Sequence, residues 1–131
     1  MSRLTERIEN FNKAFDIYLQ AVNAYNNDKS NVLTHLALVQ SFEIVFELGW
    51  KVLKDFLATK DIQVYTPRDV IKEAFNVNIL PQAQIWIDMA QDRNSSSHEY
   101  NMDKVNLMLE RISKVYCEEL VRFQDDLRNL I

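Results

Sequence analysis

The sequence predicts an all-α fold, an up-and-down antiparallel helical bundle of three long helices and two short ones, formed by residues 1–131 as a single domain. The 131 residues include one glycine and two prolines, whereas a β-rich domain of this size needs many tight turns built on those residues. The apolar residues recur three and four positions apart through three long segments, which is the period of an amphipathic helix. A hydrophobic share of 47% is enough to build a core.

The first long helix is predicted over residues 2–27, where the apolar positions alternate in spacing between four and three. The polar run over residues 26–31 ends it and offers Ser30 or Asn31 as the N-cap of the next helix. The apolar positions of this first helix are Leu4, Ile8, Phe11, Phe15, Tyr18, Val22 and Tyr25.

The second long helix, residues 31–60, is apolar around most of its circumference, which predicts a central position in the bundle. Gly49 lies in its middle at a cost of about 1 kcal/mol relative to alanine. We therefore expect another backbone to approach closely there, beside Trp50. The apolar area left over on this helix, together with Trp86, predicts a subunit interface. Its narrow polar line consists of Glu43, Glu47, Lys51 and Asp55.

Two short helices and a third long one follow. Thr66 and Pro67 fit the N-cap and first position of a short helix, and Pro81 begins a second that extends to about Arg93. We expect these two to form one crossing limb before the last long helix, residues 102–130. The apolar face of the first short helix is predicted to contain Val70, Ile71, Ala74 and Phe75. The apolar stripe of the last long helix consists of Val105, Leu109, Ile112, Tyr116, Phe123 and Leu127, with Met108 and Val115 on a neighbouring apolar face.

Composition excludes several classes of function. With 15 basic and 19 acidic residues the net charge is −4, which argues against broad, charge-driven nucleic-acid binding. A local basic groove stays possible, above all if two copies of the chain combine their charges. Cys117 is the single cysteine, so an intrachain disulfide and a multi-cysteine zinc site are excluded. One glycine cannot build a phosphate-cradling loop, and we expect no cofactor. The lack of a cationic leader or a long unbroken apolar run predicts a cytoplasmic protein without a membrane partner.

The stretch "DRNSSSHEY", residues 92–100, contains the best candidate functional groups. Arg93 and His98 would point roughly 140° apart on an unbroken helix, so they meet only if the helix breaks or if they come from two chains. Asn94 and the serines favour such a break, because their side chains compete for backbone hydrogen bonds. A guanidinium that holds a phosphate and a histidine that transfers protons make a minimal phosphodiester-cleaving pair, which needs no metal if the 2′-hydroxyl of RNA is the nucleophile.

The alternative for this stretch is a polar connector. Ser95–Ser97 would then cap the last helix, while Arg93 and His98 bind water or Asp92 and Glu99. Spacing alone leaves both interpretations open.

The other polar residues are predicted to be structural or solvated. We expect His35 to lie beside the apolar stripe of the second helix and Cys117 to act as a small hydrophobe. Arg68 and Lys72 form a solvated face, or alternatively extend a binding surface. No metal site is expected, since no recognised ligand spacing relates Asp92, His98, Glu99 and Asp103.

Four segments in this order resemble the HEPN-domain family: "QSFEIVFELGWKVLKDFL" (40–57), "TPRDVIKEAF" (66–75), "ILP" (79–81) and "RNSSSHEY" (93–100). The nearest branch is the group of nucleotidyltransferase substrate-binding proteins. Its members are usually encoded beside a minimal nucleotidyltransferase (MNT) and are described as HEPN/MNT toxin–antitoxin pairs. The resemblance covers about residues 30–125.

The resemblance implies a HEPN-like bundle that forms a homodimer or a higher even oligomer, with Arg-x4–6-His motifs of two protomers facing one another across a cleft. In active members this cleft is a metal-independent endoribonuclease acting on RNA such as tRNA or mRNA. On this sequence Arg93 would hold the scissile phosphate, His98 would be the acid and base, and Asn94 would assist. Tyr100 matches the position that the partner nucleotidyltransferase adenylylates in some pairs.

Three functions stay open from the sequence. The chain is a ribonuclease toxin silenced by a small MNT-type nucleotidyltransferase, a non-catalytic subunit that presents a substrate to that transferase, or a dimeric helical scaffold whose polar loop only pairs subunits.

Overall fold

A computed structural model describes residues 2–96 and 101–130, and that part of the chain is built from α-helices without strands, as the sequence predicts. The helices are α1 (Arg3–Asn27), α2 (Val32–Ala58), α3 (Pro67–Asn76), α4 (Ala83–Ser95), α5 (Met102–Ser113) and α6 (Val115–Leu127). The helices α1, α2 and the α5–α6 pair are the three long limbs, and α3 and α4 are the two short helices.

Side-chain contacts show the direction of each limb. Arg7 near the start of α1 bonds Asp55 near the end of α2, and Tyr25 near the end of α1 packs against His35, so α1 and α2 are antiparallel. The third limb also runs against α1, since its members Glu110 and Gln124 bond Tyr25 and Asn12 respectively.

Helix starts confirm most of the predicted caps. The side chain of Asn31 accepts the amide of Leu33 at the start of α2, and Thr66 accepts the amide of Asp69 at the start of α3. The helix α4 begins at Ala83, two residues after the predicted Pro81. The polar-connector alternative has Ser95–Ser97 cap the last helix, but the N-cap of α5 is Asn101, whose side-chain oxygen accepts the amide of Asp103; Ser97 lies outside the described residues.

The core is centred on α2, which buries residues on most of its faces and lies between α1, α3, α4 and α5. By length and composition alone, α2 is also the one helix of the described residues that passes a test for membrane spans. The central helix of a bundle passes the same test.

The approach to Gly49 comes from a side chain and corrects the sequence prediction. A Cβ atom at Gly49 would lie 3.1 Å from Cη2 of Trp86 and 3.4 Å from Cε1 of Phe11. Glycine therefore makes room for an indole ring on α4 against α2, and within the described residues the three atoms nearest to that position all belong to side chains. Trp86 itself is fully buried within the chain, so the prediction that it contributes to a subunit interface is wrong.

The third long limb is interrupted at Lys114, between α5 and α6. The hydroxyl of Tyr18 donates to the carbonyl of Ile112 at 2.5 Å, and the Ser113 hydroxyl donates to the carbonyl of Glu110. Side chains that bond to helix carbonyls in this way bend helices, because they compete with the backbone amides. Two residues predicted on apolar faces, Phe75 and Val115, are exposed.

Candidate functional site

Arg93 lies in the last turn of α4 and faces α2. Its Nη1 is 3.4 Å from Oε2 of Glu43, and the side chains of Arg93 and Glu43 are 40% and 21% exposed. The Nε atom of Arg93 is shielded from solvent and has no hydrogen-bond partner within the part of the chain that the structure describes. The guanidinium is thus held on one side and half-exposed on the other.

Ser96 strengthens the contact between α4 and α2. Its hydroxyl donates to Oε2 of Glu43 at 2.6 Å and lies 3.0 Å from the carbonyl oxygen of Arg93. One carboxylate oxygen of Glu43 therefore fixes both the guanidinium and the first residue after α4.

The opposite side of the same helix end is tied to the third limb. Asp92 accepts two hydrogen bonds of 2.8 Å from Nε and Nη2 of Arg111, and one of 2.5 Å from the hydroxyl of Tyr116. Burial and the bond to Asp92 raise the pKa of Tyr116 above its usual value. The bond to Asp92 likewise raises the pKa of Arg111. The end of α4 is anchored from both sides by charge-assisted bonds.

A pocket of about 150 Å³ opens beside this anchor. It combines cationic and apolar side chains, because Lys104 and Arg111 lie next to Leu107 and Met108. Arg111 is already neutralised by Asp92, so Lys104 is the exposed cation there.

The structure describes only part of the predicted site. Arg93 and Asn94 both lie on α4, which ends at Ser95, between Arg93 and His98 as the sequence predicts. Asn94 is exposed. His98 and Tyr100 fall outside the described residues.

The residues predicted to be structural have ordinary surroundings. The Nε2 atom of His35 lies 2.5 Å from the carbonyl oxygen of Lys29, and its ring packs edge-on to Tyr25. Cys117 is half-buried, and burial raises the pKa of its thiol, which makes it a weak nucleophile. Arg68 and Lys72 are exposed on α3.

Sequence reasoning missed Glu43 and the Asp92–Arg111–Tyr116 cluster. The signal for Glu43 was its place in the narrow polar line of an otherwise apolar helix, where a charged group needs a partner. The other members of that line are also paired, since Glu47 bonds Lys51 at 3.4 Å and Asp55 bonds Arg7. The sequence contains no comparable signal for the cluster, because its members lie 19 and 24 positions apart on different helices.

Known proteins match both the sequence and the fold. A probable ribonuclease HepT from Haemophilus influenzae is 29% identical over 85 residues, which are 61% of this chain and 58% of that protein. The chain thus spans little more than half the length of this relative. The fold matches a solved structure of a tri-AMPylated Shewanella oneidensis HEPN toxin in complex with MNT antitoxin. The match covers 98% of this chain and 99% of the toxin chain, with a TM-score of 0.77 at 14% identity. This match shows that the chain has the HEPN helical fold.

The family model described as nucleotidyltransferase substrate binding protein like matches residues 6–129, nearly the whole chain. This range contains all the segments that carry the sequence resemblance, including the Arg93 motif. The chain therefore belongs to the family of nucleotidyltransferase substrate-binding-protein-like proteins.

Proposed function

We propose that this protein is a cytoplasmic HEPN toxin, a metal-independent endoribonuclease controlled by a small MNT-type nucleotidyltransferase. The observation that carries the proposal is the state of Arg93, which is held by Glu43 through Nη1 at the end of α4 while its side chain stays 40% exposed. Such a guanidinium is ready to bind a phosphate. Membership of the family and the likeness to a probable ribonuclease support this assignment.

In the proposed reaction the 2′-hydroxyl of RNA attacks the adjacent phosphorus. His98 removes the proton from that hydroxyl as the new O–P bond forms, and a protonated histidine supplies a proton to the 5′-oxygen as the old P–O bond breaks. Arg93 holds the phosphate oxygens and stabilises the charge that develops on them, with Asn94 assisting. The products are a 2′,3′-cyclic phosphate and a 5′-hydroxyl, and no metal takes part.

We further propose that the protein forms a homodimer through the outer faces of α1 and α2. A mostly apolar groove of about 500 Å³ lies between these helices, and Ile17 and Ile44 on its walls are 62% and 45% exposed. Small side chains line the groove, and its polar residues are uncharged, so a second copy of the face meets no like charges. Sedimentation velocity at micromolar concentration tests this, and a dimer that Ile44→Asp converts to a monomer is the expected result.

Regulation by the partner is proposed to act on Tyr100. An adenylyl group transferred to its hydroxyl would place a bulky anion two residues from His98, where it repels the phosphates of RNA. The solved HEPN toxin of similar fold is AMPylated and bound to an MNT antitoxin. Mass spectrometry after incubation with the partner and ATP detects this modification, and Tyr100→Phe should abolish it.

The ribonuclease proposal is tested with purified dimer, total tRNA and mRNA in the presence of EDTA. We expect cleavage that ends in cyclic phosphates and falls at least a hundredfold in Arg93→Ala and His98→Ala. Arg128→Ala is the matched control, because that arginine is 74% exposed at the end of α6 and should leave cleavage unchanged. Intact RNA with the unaltered protein, or equal cleavage by all variants, contradicts the proposal.

The family description favours one other function, a non-catalytic subunit that presents a substrate to the transferase. In that case adding this protein raises the activity of the transferase or its affinity for its acceptor, while RNA stays intact. A transferase that is unaffected by the protein would exclude this alternative.

A further inference from the structure

We propose that Glu43 on α2 is the positioning residue of the candidate site. It holds the guanidinium of Arg93 and, through Ser96, the point where the chain leaves α4 towards His98. This inference rests on the proposed ribonuclease function and adds to it a residue outside the Arg-x4-His motif.

The first argument is the burial of Glu43. Its carboxylate is 21% exposed on a helix whose adjacent residue Phe42 is fully buried. A partly buried carboxylate needs hydrogen-bond partners in the protein, because water cannot fully solvate it. Within the described residues, Arg93 and Ser96 fill that role.

The second argument is the geometry of the guanidinium. A guanidinium has five N–H donors, and the contact with Glu43 uses only Nη1. The side chain of Arg93 stays 40% exposed in spite of this contact, so part of the guanidinium remains accessible to an anion. Glu43 thus orients Arg93 without occupying all of its donors.

The third argument is the rigidity of the support. Glu43 lies midway along α2, which the core packs on most of its faces, so its carboxylate is fixed more firmly than a group on a loop. Ser96 bonds the same oxygen at 2.6 Å, so any shift of Glu43 moves Arg93 and the residue that follows α4 together. Because a small misplacement of a phosphate-holding group lowers the rate of reaction strongly, Glu43 is expected to affect kcat.

The test compares Glu43→Ala and Glu43→Gln with Glu47→Gln. Glu47 is the matched control, since it lies one turn further along α2 and pairs with Lys51 in the same helix. We expect Glu43→Ala to lower kcat for RNA cleavage by at least about tenfold with KM changed less than about threefold. Glu43→Gln should recover part of the loss, because its amide oxygen still accepts from Ser96 and Arg93, and Glu47→Gln should match the unaltered protein.

A second readout does not depend on activity. The Nε–H of Arg93 is shielded from water, so its NMR signal, assigned by its loss in Arg93→Lys, should exchange slowly. We expect Glu43→Ala to accelerate this exchange at least about tenfold by freeing the side chain, and Glu47→Gln to leave it unchanged.

These outcomes separate the two proposals. Unchanged exchange in Glu43→Ala, or cleavage equal to or faster than that of the unaltered dimer, overturns the positioning role, and faster cleavage would make Glu43 a brake on Arg93. If cleavage is lost in Arg93→Ala but intact in Glu43→Ala, the ribonuclease proposal stands without this inference. If the unaltered dimer cleaves no RNA, the proposed function fails and the catalytic part of this inference fails with it, while proton exchange still shows whether Glu43 holds Arg93.

Discussion

The two tryptophans provide a matched test of how the helix that carries Arg93 is held in place. Trp86 on α4 is fully buried, and its Nε1–H donates at 2.8 Å to Glu119, whose side chain is 3% exposed. Trp50 on α2 donates at 3.1 Å to Glu47, which is 42% exposed. The substitutions Trp86→Phe and Trp50→Phe each remove one indole N–H, but from very different surroundings.

The expected losses in free energy of unfolding follow from burial. A hydrogen bond to a charged, buried acceptor contributes about 1.5–3 kcal/mol. The volume that phenylalanine leaves empty against Phe123, whose ring centroid is 4.8 Å from that of Trp86, adds about 1–2 kcal/mol. We therefore expect Trp86→Phe to lose about 2.5–5 kcal/mol. Trp50 is also buried, at 7% exposed, so phenylalanine leaves a similar volume empty there at a cost of about 1–2 kcal/mol. Its hydrogen bond ends on a carboxylate in contact with water and adds less than about 1 kcal/mol, so the total loss should be about 1–3 kcal/mol.

Urea unfolding followed by far-UV circular dichroism measures both variants, and the remaining tryptophan of each supplies fluorescence as a second probe. Coincident transitions by the two probes establish that the comparison of free energies is valid. Equal losses for the two substitutions, or a larger loss for Trp50→Phe, would refute the reasoning, because burial of the acceptor would then not determine the strength of the bond.

Two further predictions concern stability. Gly49→Ala should lower the free energy of unfolding by about 1 kcal/mol. The gain in helix propensity is outweighed because the new Cβ would lie 3.1 Å from the buried ring of Trp86. A more stable variant would show that this ring moves freely. The hydrogen bond from Tyr25, assisted by Lys114, lowers the pKa of Glu110 to about 2, so this carboxylate stabilises the fold above pH 4.5 and ceases to do so as the pH falls towards 2. Tyr25→Phe should therefore reduce the difference in unfolding free energy between pH 6 and pH 3. The reduction should be less than about 1 kcal/mol, because Glu110 is 37% exposed. Urea titration at the two pH values measures this difference, and an unchanged difference would contradict the assignment.

The helices were predictable because their signals are local. The apolar spacing of α1 and the caps at Asn31 and Thr66 depend on residues within a few positions of one another. The interruption at Lys114 was not predictable, because it accompanies a bond from Tyr18 to the carbonyl of Ile112, 94 positions away in the sequence. A sequence pattern within α5 and α6 contains no trace of that contact.

Gly49 shows a similar limit. A glycine inside a helix indicates that something approaches closely, but its sequence position does not say whether a backbone or a ring does so. The structure places the ring of Trp86 there, and the same ring was predicted in a subunit interface. Both errors have one cause, because the packing of α4 on α2 joins residues that no periodic pattern relates.

The sequence identified the candidate groups of the site but not the residues that support them. Arg93 was identified from the motif, and the structure adds that Glu43 and Ser96 orient it while Asp92 anchors the other side of the same helix end. A motif names the groups that contact a substrate. The groups that hold them come from distant parts of the chain, and their spacing in the sequence is not constrained by the chemistry.

The polar line of α2 allows one further step, because two of its carboxylates pair with arginines from other helices. Asp55 accepts from Nε of Arg7 at 2.9 Å. Glu43 lies 3.4 Å from Nη1 of Arg93, and Nε of Arg93 is unpaired within the described residues. If the Glu43–Arg93 pair served stability alone, its atoms should be as close as those of the Asp55–Arg7 pair, because a shielded donor without a partner costs free energy. The looser pair lies in the motif, next to the end of α4, and its longer contact is explained if the exposed part of the Arg93 guanidinium is kept available for an anion. A structure with bound phosphate in which Arg93 still contacts only Glu43 would remove that explanation.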